Sequence, residues 1–220
     1  DAYLGPGMMN LITSAVPWFL RKVLWLFGLS GTEEKAYEYL TTAYEKGTLV
    51  RFEAGLYLAK VYERRKQFQE ASVIYKQLVH NYPRNVYLRV DYFSPLWHLK
   101  RYDEIIQSAN DIISIFATSS IPFGRSDSAW IPTIASNLGL AHKLKGDTVR
   151  AIQVLEDFVA RPEFRSIDKW RVHFDLGEFY AAQQDVPKAR MHYGEVVSGN
   201  APSGTKKRAR SYIEDHSTKQ

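Results

Sequence analysis

Residues 52–85 read FEAGLYLAKVYERRKQFQEASVIYKQLVHNYPRN. Wound as helices, the stretch puts Leu58, Ala59 and Tyr62 on one face of a first helix. Phe68, Ala71, Tyr75 and Leu78 then lie on the facing side of a second helix, and Pro83 closes the unit. A hairpin this short cannot bury its apolar face by itself. It therefore implies neighbours of the same kind stacked on it, and an extended surface able to bind a partner.

Working outward, the small residue at the close crossing of each hairpin recurs as Ala36, Ala71, Ile105, Ala151 and Ala189, at intervals of 35, 34, 46 and 38 residues. Ile105 is the departure and marks a degenerate unit. The first unit reads from about Pro17 to Val50, with a break at Gly28 to Gly31, a second helix from Glu33 to Lys46, and Gly47 as its C-cap. The third reads from Val86 to Phe116. Tyr92, Leu96 and Tyr102 hold packing positions there, Pro95 strains the first helix, and Ile105, Ala109, Ile112 and Ile113 form the inner stripe of the second. The pattern stops between Thr118 and Trp130, where Ser, Pro, Gly and Asp mark a loop and Asp127 or Ser128 is placed to cap the next helix. If Pro95 breaks its helix, the array kinks there and this loop covers the binding face. A fourth unit follows with Leu138, Gly139, a turn at Gly146-Asp147, then Ala151, Leu155, Phe158 and Pro162. A fifth runs from Trp170 through Leu176, Gly177, Tyr180, Ala189, Tyr193 and Val196, and a loop at Gly199–Gly204 leads to a capping helix over Thr205–His216. The expected organisation is one all-α domain over 1–220: an apolar N-terminal hairpin (1–50), two repeats (52–116), a loop (117–130), two repeats (131–199) and a cap (205–216).

The composition agrees with a folded helical chain: 45% hydrophobic and 24% charged residues argue against disorder, and the 14 Tyr and 5 Trp suit wedges between helices. The formal charge is +5, but both halves are nearly balanced, and no basic stripe or nucleic-acid reading motif is present. No nucleic-acid partner is therefore expected. The one basic concentration, Lys206, Lys207, Arg208 and Arg210, reads as a solvated cap or as an acidic or anionic-lipid contact. Met8 to Leu29 is the most apolar stretch, but Pro17 interrupts it and Arg21 and Lys22 sit at its centre, so it is not read as a membrane span. Pro17 instead opens a helix through Trp18, Leu20, Val23, Leu24 and Phe27, either a buried end helix or an amphipathic surface anchor. There is no cysteine, which excludes disulfides, thiolate metal sites and cysteine nucleophiles while leaving cytoplasm and periplasm equally open. A chain beginning at Asp1 with its first motif entered midway reads as a processed or excised piece.

The Leu58-Ala59-x-x-Tyr62 and Leu176-Gly177-x-x-Tyr180 spacings, with Tyr75 and Pro83, resemble the tetratricopeptide repeat family, over most of Phe52 to Val197. The arrangement from Gly31 to Asn85 is also similar to outer-membrane-associated repeat proteins that begin with a hydrophobic hairpin. The family resemblance implies a right-handed superhelix of about five stacked hairpins, and a protein or peptide partner held in a concave groove lined by the first helices. Carried onto this chain, the groove positions are Tyr57, Lys60 and Arg64, then Asp91, Trp97 and His98, then Asn137, Leu140 and Lys143, then Arg171, Phe174, Asp175 and Glu178. Mixed aromatic and charged residues suit a helical or extended peptide. Leu56 and Lys60 occupy places that a carboxylate clamp of this family would need differently.

No phosphate-binding glycine motif, zinc-binding helix or nucleophile elbow occurs. The histidines at 80, 98, 142, 173, 192 and 216 are dispersed, with no pair at metal-ligand helical spacing, and read as packing or solvated residues. Glu33-Glu34 and Asp103-Glu104 stand at second-helix starts, where they favour the helix dipole. The expectation is a non-catalytic interaction scaffold without cofactor or metal. The alternative is a membrane-peripheral assembly factor using Trp18–Phe27 or the Lys206–Arg210 cluster.

Overall fold

The computed structural model describes residues 1–17, 20, 31–164 and 167–217, and every ordered element among them is helical. They form two compact bodies: Asp1–Tyr82 with Asp91–Leu99, and Pro83–Val90 with Lys100–Gln220.

In the first body, α1 (Leu4–Ala15) packs on α2 (Glu33–Lys46) and α3 (Arg51–Arg64), α2 packs on α3, and α3 on α4 (Phe68–Asn81). Among the described residues, α2 is thus packed by α1, which lies ahead of Pro17. Asn10 holds the two helices together by accepting from the Thr32 backbone N–H at 3.2 Å. Thr32 itself caps α2, its hydroxyl accepting from the Lys35 N–H. Gly47 ends α2 as expected, but with extended backbone (φ −72°, ψ 148°) rather than the left-handed form usual for a glycine cap. Its missing Cβ is what lets the chain turn, because that atom would collide with the Ala43 carbonyl oxygen. The expected helix through Trp18–Phe27 lies outside the described residues except for Leu20. The apolar stripe of the deciding hairpin is where the sequence placed it: Leu58, Ala59, Ala71, Tyr75 and Leu78 are buried.

Helix α5 (Val86–His98) gives its Asp91–His98 end to this body. It runs unbroken through Pro95, so the condition for a kink there is not met. Pro95 is buried beside the fully buried Leu96, and the Leu99 N–H donates to the Pro95 carbonyl at 3.0 Å. Packing here outweighs the one backbone hydrogen bond that proline forfeits.

The second body contains the start of α5, then α6 (Tyr102–Thr118), α7 (Arg125–Ser128), α8 (Ile131–Leu144), α9 (Thr148–Ala160), a 3₁₀ turn at Pro162–Phe164, α10 (Trp170–Ala182), α11 (Val186–Ser198) and α12 (Ser203–Asp215). Helix α8 packs on α6, α9 and α10, α9 packs also on α10, and α11 packs on α10 and α12. Asp127 and Ser128 do not cap α8; they belong to α7, and Trp130 is the N-cap of α8, with Pro132 in its first turn. Part of the loop lies beside first helices: Trp130 packs edge-on against Tyr87 of α5 at 5.9 Å, and Ser126, Ala129 and Trp130 line a cavity of about 340 Å³ with Pro132, Thr133, Trp170 and Arg171. Arg84 donates to Ser119 and to the Ile121 carbonyl, and its guanidinium sits 4.3 Å over Phe123. Phe123 leads an aromatic run through Phe116, Phe164 and Phe158 on the second helices α6 and α9.

The turns after α3, α5, α8 and α10 each contain one residue with positive φ: Lys66 (58°), Lys100 (55°), Gly146 (89°) and Gln184 (62°). These are separated by 34, 46 and 38 residues, the same intervals as Ala71, Ile105, Ala151 and Ala189. Asp147 and Asp185 then cap the second helices by accepting from the Arg150 and Lys188 N–H groups. Close helix approach is set by Gly139 and Gly177, where an added Cβ would stand 2.8 Å from Leu155 and 2.8 Å from the Tyr193 ring.

Candidate partner-binding face

The first helices carry one polar stripe each, at positions that the core leaves over. On α3, Tyr57, Lys60 and Arg64 follow i, i+3, i+7 spacing, while Leu58, Ala59 and Val61 are buried. Lys60 reaches Asp91 at 3.2 Å, bridging α3 and α5. Burial pushes the Asp91 carboxyl above its usual range, and the Lys60 ammonium pulls against that shift. Trp97 and Tyr57 are half-buried. Arg64 turns away toward the N-terminal helices, pairing with Glu33 at 3.5 Å, where Arg65 also binds Glu33 at 2.9 Å. His98 stacks on Phe68 at 3.9 Å and so is engaged with the first residue of α4.

In the second body the stripe runs along α8, α10 and α12. Asn137 donates to the Thr133 carbonyl at 2.7 Å, and Leu140 is 41% exposed. Lys143 lies 4.7 Å over the Phe179 ring, joining α8 to α10, and Arg171 lies 5.1 Å over Trp170. Burial raises the Asp175 carboxyl, opposed by Ser136 and Arg171. Phe174 and Glu178 are joined by a residue the sequence reading had placed elsewhere: Arg208 of α12 lies 4.8 Å over Phe174 and 3.3 Å from Glu178. Glu178 also accepts from the Tyr193 hydroxyl at 2.7 Å, and Tyr193 packs 4.8 Å from Tyr212. Burial and Glu178 together raise the Tyr193 hydroxyl far above its usual value. The basic run is therefore not uniform: Arg208 joins this stripe, while Lys207 and Arg210 face solvent. The signal for Arg208 was the placement of α12 as another first helix, which charge counting alone does not reveal.

The dispersed histidines conceal one pair. His173 and His192 bring their Nδ1 atoms to 3.0 Å across α10 and α11. Among the described residues no group of three or more His, Cys, Asp or Glu side chains is placed to hold a metal ion, and no helix is long and apolar enough to cross a membrane.

A tetratricopeptide repeat family model matches residues 53–85, from the first turn of α3 to just past the end of α4. That stretch is a tetratricopeptide repeat. Solved structures agree in fold. The chain superposes on TTC0263, a thermophilic repeat protein of Thermus thermophilus, at TM-score 0.53 and 16% identity, covering 89% of this chain and 97% of that one. PilF of Pseudomonas aeruginosa matches at TM-score 0.56 and 18% identity over 99% of this chain and 86% of its own. MamA 41-end from Desulfovibrio magneticus RS-1 matches at 0.52 and 14% over 87% and 92%. No curated protein sequence matches the chain. At these identities the likeness is one of fold.

Proposed function

We propose that this repeat protein is a non-catalytic interaction scaffold that takes a peptide or partner helix on the stripe of its first helices. The observation that carries the reading is the α8–α10–α12 face: half-buried Phe174 and exposed Leu140 stand among Lys143, Arg171, Glu178 and Arg208. Apolar anchors ringed by charges of both signs suit a peptide with one or two large side chains and fixed polar flanks. On the first body, Lys60, Asp91 and half-buried Trp97 offer a similar mixture. Tetratricopeptide repeats commonly serve protein association, and the pairs already spanning neighbouring helices hold the face in one arrangement before a partner arrives. A membrane-peripheral role has no observation in its favour among the described residues.

The test is an affinity pull-down with quantitative mass spectrometry, comparing the chain with a Lys60→Ala/Trp97→Ala/Arg171→Ala variant of unchanged helicity. A protein recovered by the parent and lost from the variant supports the reading. Equal recovery of every protein from both removes it.

A further inference from the structure

Three earlier first helices are covered by the helix that follows them: α3 packs on α4, α8 on α9, and α10 on α11. Helix α12 has no such companion among the described residues. Along the place where one would lie, between α11 and α12, runs an open furrow made of two adjoining cavities of about 620 and 320 Å³. Gly194 and Ile213 line both, so the furrow is continuous along the helix pair. Its floor is apolar, with Val186, Met191, Val197 and Ile213, and Met191 is 57% exposed. Gly194 stands at the centre with nothing within 4 Å of an added Cβ, unlike Gly139 and Gly177, which meet the second helices of their own hairpins.

The charges around the furrow are mostly of one sign. Arg190 and Arg210 line it from opposite helices, and Lys206 precedes Arg210 by one turn. Arg190 has a long hydrogen bond of 3.4 Å to the Ser217 hydroxyl, and His216 stacks on Tyr212 at the far end. Glu214 is the one carboxylate in the lining. Arg208 points the other way, to Glu178, and is not part of this rim.

We propose that this furrow is a second docking site, which takes an amphipathic helix of a partner protein whose apolar stripe is flanked by acidic residues. The shape selects a helix, because the two walls are the α11 and α12 surfaces against which a second helix of the array would pack. Helix α11 spans 13 residues, about 20 Å, enough to seat three to four turns. The bare backbone at Gly194 allows close approach, and Met191 adapts to the incoming side chains. The Arg190, Lys206 and Arg210 charges select the acidic flanks. The site is separate from the first-helix face.

The experiment is fluorescence anisotropy of the full chain with two labelled helical peptides of about 14 residues. Both carry leucines at i, i+3, i+7 and i+11; one has glutamates at the flanking positions and the other lysines. The acidic peptide binds, and the basic one binds at least about tenfold more weakly. Gly194→Trp, at a position where an added Cβ meets nothing within 4 Å, fills the furrow and weakens the acidic peptide at least about tenfold, with helicity by circular dichroism unchanged. Arg190→Glu/Arg210→Glu reverses the preference between peptides. Met191→Asp gives the same loss as Gly194→Trp by a different chemistry. The Lys60→Ala/Trp97→Ala/Arg171→Ala variant binds the acidic peptide as the parent does. Equal binding of both peptides, or no effect of Gly194→Trp and Met191→Asp, overturns the proposal. So does a concentration-dependent dimer in sedimentation velocity that Gly194→Trp abolishes while the peptides fail to bind, which assigns the furrow to a second copy of the chain.

Discussion

Lowering the pH should destabilise the second body through His192. The ring is 3% exposed, stacks on Tyr180 at 5.6 Å, and has no hydrogen-bond partner for Nε2. Its Nδ1 faces the Nδ1 of His173 at 3.0 Å, an arrangement that works only if one ring donates and the other accepts. Burial, then the neighbouring His173, lowers the His192 pKa to about 4; Lys188 lowers it further, and Glu156 opposes them. Burial also lowers His173, with Lys169 acting in the same direction and Glu195 and Asp168 against it. The unfolded chain, with His192 near 6.5, therefore binds more protons than the folded one between pH 6.5 and 4. The contribution is complete above pH 6.5 and is lost as pH falls through that window. With those two pKa values, the loss between pH 8 and pH 5 is about 2 kcal/mol from His192 alone. For a chain of this size that corresponds to a fall in Tm of about 4–8 °C. Thermal unfolding followed by circular dichroism at pH 8 and pH 5, for the parent and for His192→Leu, measures it. The variant loses the partner of His173 and is less stable at both pH values, but its change between them is smaller by the His192 share. Imidazole proton shifts in NMR give the pKa directly. A His192 pKa near 6.5, or the same fall in Tm for parent and variant, refutes the reasoning.

Lys66, Lys100 and Gln184 hold positive φ without being glycine, so Lys66→Gly or Gln184→Gly should raise stability by about 0.5–1 kcal/mol, and Gly146→Ala should lower it by about 1 kcal/mol, all read by chemical denaturation. Glycine replacement should depend on the neighbour across the hairpin. Gly177→Ala drives a methyl toward Tyr193 and costs about 1–3 kcal/mol, whereas Gly194→Ala opens into free space and gains about 0.5–1 kcal/mol from helix propensity. Arg89 is 3% exposed and donates to the Ser108 carbonyl, the Ser108 hydroxyl and the Pro83 carbonyl; Arg89→Ala should cost about 2–4 kcal/mol by urea unfolding, more than any exposed arginine.

Much of the fold was legible because helix pairing leaves a periodic trace. Leu58, Ala59, Ala71, Tyr75 and Leu78 are buried where 3.6-residue periodicity puts them, and Ala151, Leu155, Leu176 and Tyr193 repeat the pattern. That Tyr57, Lys60, Leu140 and Phe174 stay out of the fully buried core was legible for the same reason. The destination of each long side chain was not. Arg64 goes to Glu33 and His98 to Phe68, each a partner far away in sequence that no local spacing announces. Pro95 misled because its backbone penalty is local and readable, while the packing that offsets it is not.

The amino-acid sequence by itself determined the helices, their pairing into hairpins and the repeat interval, because each depends on interactions within about 35 residues: an apolar face, a capping aspartate, a small residue at a crossing. Only the tertiary structure decided that α1 packs on α2, that Arg208 belongs to the Phe174–Glu178 stripe, that His173 and His192 meet, and that α11 and α12 leave a furrow between them. Those outcomes depend on how whole helices stack, and stacking is set by the summed fit of many side chains rather than by any one motif.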